Sequence, residues 1–358
     1  MAFMPKVLSD LPAVVVALLA SGHGLLTAEA ARAEGIDIHR LRRLVAAGLL
    51  MNVAHGCYAA AADHQSLRPW DRHRVEARAL SRARPGSFVT GWSAAAIWRL
   101  PTMGTPPVRP STLWPKAPGR GSTTTLRGRL LIADLPYEHR WRVGETRVVS
   151  RAWAAVDLAR TAPVAHGLVV ADAAVRMGAD LVGVVRHMTR WPGMERARWV
   201  VDHADPCAES ALETLGRFVC LEALLPMPVS NAWVGHDRPV YRVDGLWPWH
   251  WAAQEADGAV KYDDRPDASR IVAAQNEREW YLRRLGLDLV HYGWMLASGR
   301  PGELAGRFAA LLRDNPARDV PIRWWKDVPG VGPVVPEADD WPAPGPPRGG
   351  LPPWWVAG

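Results

Sequence analysis

The sequence predicts a multidomain protein of mixed α+β and α/β class, and three observations support this fold class. The chain has 358 residues, which is enough for two or three domains of ordinary size. Helical and strand-like patterns alternate along it, and its 48% hydrophobic and 22% charged content is typical of globular proteins. The end beyond Asn315 is rich in proline and predicts disorder. We therefore predict domains at 1–62, 63–203 and 204–315, followed by a disordered Pro-rich tail at 316–358.

The first domain has the element order of a winged helix-turn-helix. VLSDLPAVVVALLASG predicts an opening helix, and AEAARAEG predicts a short second helix that Thr27 caps and Gly35 ends. Asp37 caps the third helix, IHRLRRLVAAGLL, and MNVAHGCYAA alternates around a His-Gly pair as a small β-wing. Helix, helix-turn-helix and wing follow one another in that order.

Charge and cysteine content narrow the partners and the compartment. The formal net charge is +7 and the pI is about 9.7, which favours an acidic partner such as DNA. Cys57, Cys207 and Cys220 have neither metal-site nor disulfide spacing, so we expect a reducing cytoplasm. The apolar run LPAVVVALLA is about half the length of a membrane span, and no membrane partner is expected.

The stretch GLLTAEAARAEGIDIHRLRRLVAAGLLMNVAHGCYAA resembles the N-terminal domain of AbiEi-type antitoxins, from the abortive-infection (type IV) toxin–antitoxin systems. The resemblance rests on the apolar-Thr start, the Leu-Arg-Arg-Leu-Val helix and the Gly-x-Tyr wing. It implies a winged helix that binds operator DNA through Arg40, Arg42 and Arg43, with His55 at the wing tip, and it implies a cognate toxin. The alternative is a protein–protein module whose arginines form a solvated face.

The middle domain carries the basic surplus, with 22 Lys and Arg against 11 Asp and Glu between residues 61 and 204. Its RAWAAVDLAR run resembles the middle region of actinobacterial AbiEi-like proteins, with Ala154 where a Thr is usual. Three interpretations of the arginines stay open: a second nucleic-acid surface, a toxin-docking surface, or a solvated face.

The C-terminal domain contains an acidic hairpin, YRVDGLWPWHWAAQEADGAVKY, although acidic residues are depleted in strands. If its corner turns about Trp249–His250, antiparallel partners have residue numbers that sum to 499. Glu255 then opposes Asp244, and Asp257 opposes Arg242. Because side chains two apart share a face of a strand, these four would project together.

Opposed carboxylates at this distance repel each other unless a cation or a proton lies between them. The hairpin therefore predicts a Mg²⁺ (or Mn²⁺) site held by Asp244 and Glu255, since two carboxylates, waters and a phosphate satisfy such an ion. A metal ion held this way can activate water against a phosphodiester. Lys261 could supply further positive charge.

SALETLGR, RVDGLWP, QEADGAVKY and NEREWYLRRLGLDLV resemble the PD-(D/E)xK nuclease fold, and more closely the very-short-patch-repair-like endonuclease family. The resemblance covers about residues 208–314 and implies a restriction-endonuclease-like αβ domain. By this resemblance Asp244 and Glu255 are metal ligands, Glu213 is the helix acid and Lys261 is the basic residue, while Asp257 replaces the (D/E)xK lysine. The catalytic set is then Glu213, Asp244, Glu255, Asp257 and Lys261.

Structural alternatives remain for three of these residues. Glu213 has capping-box spacing from Ser210, Asp257 before a glycine suits a turn and could pair with Arg242, and Lys261 suits a surface. We therefore carry two main functional hypotheses, beside a third in which the protein is purely a protein-binding module that uses its Trp- and Pro-rich tail. The first is a DNA-binding antitoxin or repressor with a metal-dependent endonuclease-like domain, in toxin–antitoxin or phage-defence biology. The second is a non-enzymatic repressor whose nuclease-like domain is a binding scaffold.

Overall fold

A computed structural model of the chain describes residues 10–116, 121–258, 268–328, 330–347 and 350–355. The chain forms two compact units. The first, the N-terminal unit, comprises Met1–Leu158 and Leu181–Thr189, and the second, the C-terminal unit, comprises Ala159–Asp180 and Arg190–Gly358. The division falls inside the predicted middle domain, and the predicted division into three domains and a tail stays a prediction. Over the described ranges, no helix combines the length and apolar character that a membrane crossing needs.

The secondary structure of these residues is as follows. The α-helices are α1 (Ala13–Ser21), α2 (Ala28–Ala33), α3 (Ile38–Ala46), α4 (Ala61–Ser66), α5 (Pro69–Ala83), α6 (Gly91–Trp98), α7 (Arg151–Thr161), α8 (Val164–Arg176), α9 (Leu181–His187), α10 (Met194–Asp202), α11 (Ala211–Glu222), α12 (Ala268–Arg284) and α13 (Pro301–Asp314). The strands are β1 (Leu26–Thr27), β2 (Leu50–Ala54), β3 (Cys57–Ala60), β4 (Phe88–Val89), β5 (Ser111–Pro115), β6 (Thr123–Thr125), β7 (Gly128–Ala133), β8 (Arg140–Val143), β9 (Thr146–Val149), β10 (Val229–Val234), β11 (Tyr241–Trp247), β12 (Ala252–Asp257), β13 (Asp288–Gly293), β14 (Trp324–Val328) and β15 (Gly332–Val334).

Residues 10–60 fold as α1, β1, α2, α3, β2 and β3; the three helices and the β2–β3 hairpin follow the predicted order, whereas β1 was not predicted. Both predicted helix caps are confirmed: the Thr27 hydroxyl accepts the Ala30 N–H at 3.1 Å, and the Asp37 carboxylate accepts the Arg40 N–H at 2.7 Å. The three strands form a sheet in the order β1–β3–β2. Val15, Leu19, Leu26, Ala31, Ile36, Leu41, Leu44, Leu50 and Tyr58 form the buried core of this region.

The rest of the N-terminal unit contains a six-stranded sheet of order β6–β7–β5–β4–β9–β8, the helices α4–α6 and α9, and the part of α7 up to Leu158. Several of its arginines have structural partners, since they donate hydrogen bonds to main-chain carbonyl groups. On α5, Arg78 bonds to the His23 carbonyl, and Arg82 bonds to those of Gly22 and Leu25. These carbonyls follow the end of α1, where carbonyl groups lack partners within the helix. Part of the basic surplus therefore stabilises the fold and is not a solvated face.

The C-terminal unit is built on a six-stranded sheet of order β13–β12–β11–β10–β14–β15. β12 and β13 are parallel, whereas the other neighbours are antiparallel. Helices cover both faces of the sheet. Since adjacent residues of a strand point to opposite faces, neighbouring residues contact different helices. Leu246 packs in one core with Leu282 of α12, while the ring of Trp247 contacts that of Phe308 of α13 at 5.5 Å.

A buried ion pair joins α8 to α11 in this unit. Nη2 of Arg217 donates to both carboxylate oxygens of Asp172, at 2.9 and 2.7 Å, and Nη1 donates to the His203 carbonyl at 2.7 Å. The Thr214 hydroxyl and the Asp205 N–H each donate to the same carboxylate at 2.8 Å. Burial raises the pKa of Asp172, and the Arg217 charge opposes that rise. The bonds from Arg217, Thr214 and Asp205 together satisfy the Asp172 carboxylate, which has almost no contact with water.

The register predicted for the acidic hairpin is confirmed where β11 and β12 are paired. Gly245 pairs with Gln254, Leu246 with Ala253 and Trp247 with Ala252, so each pair sums to 499. The turn covers the Trp-Pro-Trp-His corner and brings Trp251 to a φ of 51°, in the left-handed region. The recorded pairing ends at Gly245 and Gln254, one pair before the expected partners Asp244 and Glu255.

The prediction of a disordered tail at 316–358 is wrong for its described part. β14 pairs with β10 through Trp324 and Val234 and through Trp325 and Trp233, which adds β14 and β15 to the sheet. Further on, the Trp249 indole N–H donates to the Pro342 carbonyl at 2.8 Å. The prolines and glycines of this segment do not prevent order, because Trp324 and Trp325 are buried in the unit.

Candidate functional site

The acidic residues of the hairpin, Asp244, Glu255 and Asp257, lie where β11 and β12 separate. We call these three residues, together with Glu213 of α11, the acid cluster. Asp244 is partly buried, and its Oδ2 accepts the Ala256 main-chain N–H at 2.7 Å. Its carboxylate thus bonds to the strand that carries Glu255. Burial raises the pKa of Asp244, against the Ala256 hydrogen bond and the Arg278 charge.

Glu255 is the most buried member of the acid cluster, with 5% of its surface exposed. Its Oε1 accepts a hydrogen bond from Nη2 of Arg278 on α12 at 2.8 Å, and the same nitrogen donates to the Arg242 carbonyl at 2.6 Å. Burial raises the pKa of Glu255 to about 7, Arg278 opposes that rise, and Asp244 adds to it. A carboxylate of this kind responds to any cation placed beside it.

Glu213 lies in the first turn of α11 and takes part in the predicted helix cap, while its role as the helix acid of a nuclease site stays a prediction. The Ser210 hydroxyl accepts the Glu213 N–H at 3.2 Å, which is the forward half of a capping box. The Glu213 Oε2 instead accepts the Glu209 N–H at 2.8 Å and the Asn231 side-chain amide at 2.6 Å. Burial is the main cause that raises the Glu213 pKa, and the charge of Asp244 adds to it. Glu213 therefore belongs to the Ser210 cap of α11, and it is near enough to Asp244 for the charge of Asp244 to act on it.

Asp257 and Arg242 are not paired with each other, so that alternative is wrong. Nδ1 of His291 lies 3.1 Å from Asp257, which is exposed at the end of β12. The Arg242 guanidinium forms two bonds to Glu209, at 3.0 and 2.7 Å, and one to Asp327 at 3.2 Å. β14 supplies Asp327, which explains why the hairpin alone suggests the wrong partner.

Lys261 lies outside the described residues. Two residues that the sequence did not single out bond to members of the acid cluster: Asn231 bonds to Glu213, and Arg278 bonds to Glu255. Arg278 could have been found by helical spacing, since it lies four residues before the buried Leu282 and so shares its face. Burial raises the pKa of Tyr292 well above its usual value, and the acid cluster carboxylates add to this.

Gly216 and Gly245 make room for side chains beneath the acid cluster. A Cβ on Gly216 would lie 2.0 Å from the Tyr292 hydroxyl, and a Cβ on Gly245 would lie 2.4 Å from the Gln254 amide nitrogen. Gly245 therefore stands after Asp244 because Gln254 occupies the space of a side chain there.

The acid cluster offers oxygen ligands of the kind that Mg²⁺ or Mn²⁺ prefers. In the ranges that the structure describes, no three His, Cys, Asp or Glu side chains are arranged to enclose a metal ion. A more open arrangement, in which two carboxylates bind and waters or a phosphate complete the shell, would have Asp244 and Glu255 as its protein ligands. Any such ion would share Glu255 with Arg278.

A second candidate surface lies on the N-terminal unit, at α3 and the β2–β3 hairpin. Arg40, Arg42 and Arg43 are exposed, while Leu41 and Leu44 anchor the opposite side of α3 in the core. His39, which the sequence did not single out, is exposed on the same helix. The turn between β2 and β3 carries His55 and Gly56, so His55 stands at the predicted hairpin tip and is exposed.

Comparison with known proteins gives a family match for this region. Residues 14–61 match the family described as "Transcriptional regulator, AbiEi antitoxin", which confirms the resemblance for the N-terminal segment. Two Mycobacterium tuberculosis proteins, "Uncharacterized protein MT2308" (strain CDC 1551 / Oshkosh) and "Uncharacterized protein Rv2248" (strain ATCC 25618 / H37Rv), are each 29% identical over 177 residues. These matches span 48% of this chain and 64% of the length of each relative.

One solved structure is also similar. The crystal structure of the RV2827C protein from Mycobacterium tuberculosis has 18% identity and a TM-score of 0.35, over 55% of this chain and 79% of that chain.

Proposed function

We propose that this protein is a DNA-binding transcriptional regulator of the AbiEi antitoxin type, with a winged helix as its DNA-binding part. The observation that carries this proposal is the exposed arginine run of α3, within the segment that matches the antitoxin family. α3 is the second helix of a helix-turn-helix, and the hairpin of β2 and β3 is the wing. The family match also supports a cognate toxin as the protein partner.

The physical basis of DNA binding here is charge on a rigid support. Leu41 and Leu44 fix α3 in the core, and the Asp37 cap fixes its N-terminus, so the arginines project from a defined surface. Arginine binds phosphate in a bidentate manner and releases condensed counterions from DNA. His55 at the hairpin tip would contact the adjacent sugar-phosphate backbone of the DNA.

The double variant Arg42→Ala/Arg43→Ala should bind the DNA upstream of its own gene about tenfold or more weakly than wild type. Losing two phosphate contacts should also lower the slope of log affinity against log salt by about 2. Fluorescence anisotropy at four salt concentrations measures both. Arg313→Ala, which removes a side chain 72% exposed on the C-terminal unit, is the matched control and should bind as wild type does. Unchanged promoter binding by the double variant would show that α3 is not the recognition helix.

A second activity is favoured by the acid cluster, namely metal-dependent cleavage of DNA by a PD-(D/E)xK-type site of the very-short-patch-repair-like kind. Its support is that Asp244 bonds across to the strand of Glu255 while Glu213 lies within electrostatic reach. A bound Mg²⁺ would supply an activated water and stabilise charge on the phosphodiester. Asp257, at the exposed end of β12, and Lys261 would complete the set.

Supercoiled plasmid incubated with the protein and Mg²⁺ or Mn²⁺ should become nicked, and Asp244→Asn and Glu255→Gln should abolish nicking. We expect losses beyond the roughly 10- to 100-fold that follows removal of a mere supporting group at a metal site. Agarose gels over a time course measure the rate. Asp237→Asn removes a carboxylate that is 85% exposed and should retain full activity. Equal or absent nicking by wild type and both variants would leave the C-terminal unit as a non-enzymatic binding scaffold.

A further inference from the structure

Arg278 occupies an unusual position beside the acid cluster. Its side chain is 22% exposed, and it is bonded to a Glu255 side chain that is 6% exposed. One nitrogen, Nη2, bonds both to Glu255 and to the Arg242 carbonyl. The guanidinium thus links α12 to two strands of the sheet at the place where the carboxylates meet.

Arg242, the other nearby arginine, does not bond to Glu255 through its guanidinium. The Arg242 side chain turns to Glu209 and Asp327. Among the residues that the structure describes, Arg278 is therefore the cation that bonds to Glu255, and its charge acts on Asp244 together with that of Arg242. Two buried carboxylates near each other need such compensation.

We propose that Arg278 is the internal counter-ion of the acid cluster, and that a divalent cation must displace it from Glu255 in order to bind. This inference rests on the proposed metal-dependent activity, and it adds a control on metal affinity. A divalent ion and a guanidinium repel each other, so both would compete for the carboxylate of Glu255. Glu255 therefore has a cationic partner without metal, and the affinity of the acid cluster for metal is reduced by this arginine.

Mn²⁺ titrated calorimetrically into the full-length protein tests this inference. Arg278→Gln and Arg278→Met both remove the positive charge but differ in side-chain shape. Each variant should bind Mn²⁺ about tenfold more tightly than wild type, because the ion no longer has to break the hydrogen bond between Arg278 and Glu255. Arg278→Lys, which keeps the charge, should stay close to wild type. Arg283→Gln lies on the same helix, but its side chain is 68% exposed and pairs with Glu279, so it serves as the matched control.

The outcomes separate this inference from the activity on which it rests. If wild type binds Mn²⁺, Glu255→Gln loses it, and both neutral Arg278 variants bind no more tightly, then the counter-ion role is wrong while the metal site stands. If neither wild type nor the neutral variants bind Mn²⁺, the metal site and the counter-ion role both fall. Circular dichroism spectra identify any variant that does not fold, and the other neutral variant then decides.

Discussion

Arg217→Met should destabilise the C-terminal unit by about 3–5 kcal/mol, because it leaves the buried carboxylate of Asp172 without its partner. The pair is 7% and 2% exposed, so water cannot replace the lost hydrogen bonds. Thr214 and Asp205 still donate to Asp172, and they limit the loss. Guanidinium-induced unfolding followed by tryptophan fluorescence measures the change.

The pH dependence of this deficit gives the mechanism a second test. Burial raises the pKa of Asp172 above its unfolded value, and Arg217 opposes this, so the variant should raise that pKa further. A carboxyl with a raised folded pKa binds a proton more readily in the folded state, so stability falls as pH rises through the interval between the two pKa values. The Arg217→Met deficit should therefore be smaller at pH 5 than at pH 8.

Two controls accompany Arg217→Met. Arg313→Met replaces an exposed arginine and should change stability by less than about 0.5 kcal/mol. Asp172→Asn combined with Arg217→Met removes the buried charge as well, and should be more stable than Arg217→Met alone. A loss below about 1 kcal/mol for Arg217→Met would contradict a stabilising role for the pair.

The features that the sequence predicted correctly are governed by short-range rules. The Thr27 and Asp37 caps follow from spacing of three residues, and the sum of 499 follows from where the corner of the hairpin turns. Both depend on neighbours in the chain. The exposed arginines of α3 follow in the same way from the spacing of Leu41 and Leu44.

The features that the sequence missed depend on distant partners. Arg242 was considered a partner for Asp257 within the hairpin, yet it bonds to Glu209 and Asp327, which lie 33 and 85 residues away. Arg278 reaches Glu255 only because α12 packs on that face of the sheet. Spacing within one element cannot reveal such contacts, although it can show which face of a helix is buried.

The tail illustrates the same limit from composition. Its proline content predicted disorder, because a segment that buries little apolar surface cannot offset the entropy of ordering. The tail contributes Ile322 and Trp324 to a core with strands β10–β12 and α12, and they are only 4% and 2% exposed. Local composition counts the prolines but cannot count a core that other segments supply.

Trp324→Ala should therefore destabilise the C-terminal unit by about 3–5 kcal/mol, the usual loss for a large aromatic side chain in a core. The ring centroids of Trp324 and Trp341 lie 5.5 Å apart, and Trp324 packs in the same core as residues of β10. Its removal therefore leaves a cavity and weakens the attachment of β14 to β10. The thermal unfolding midpoint of this unit should fall by roughly 10 °C. Trp280→Ala is the matched control, since that ring is 53% exposed on α12 and its loss should move the midpoint little.

If Trp324→Ala unfolds with the wild-type midpoint, residues beyond 315 do not contribute to the core and the tail is dispensable for stability. A lowered midpoint would instead show that the sheet of the C-terminal unit requires β14, and that the acid cluster, which β11 and β12 of that sheet carry, depends on the tail for its support.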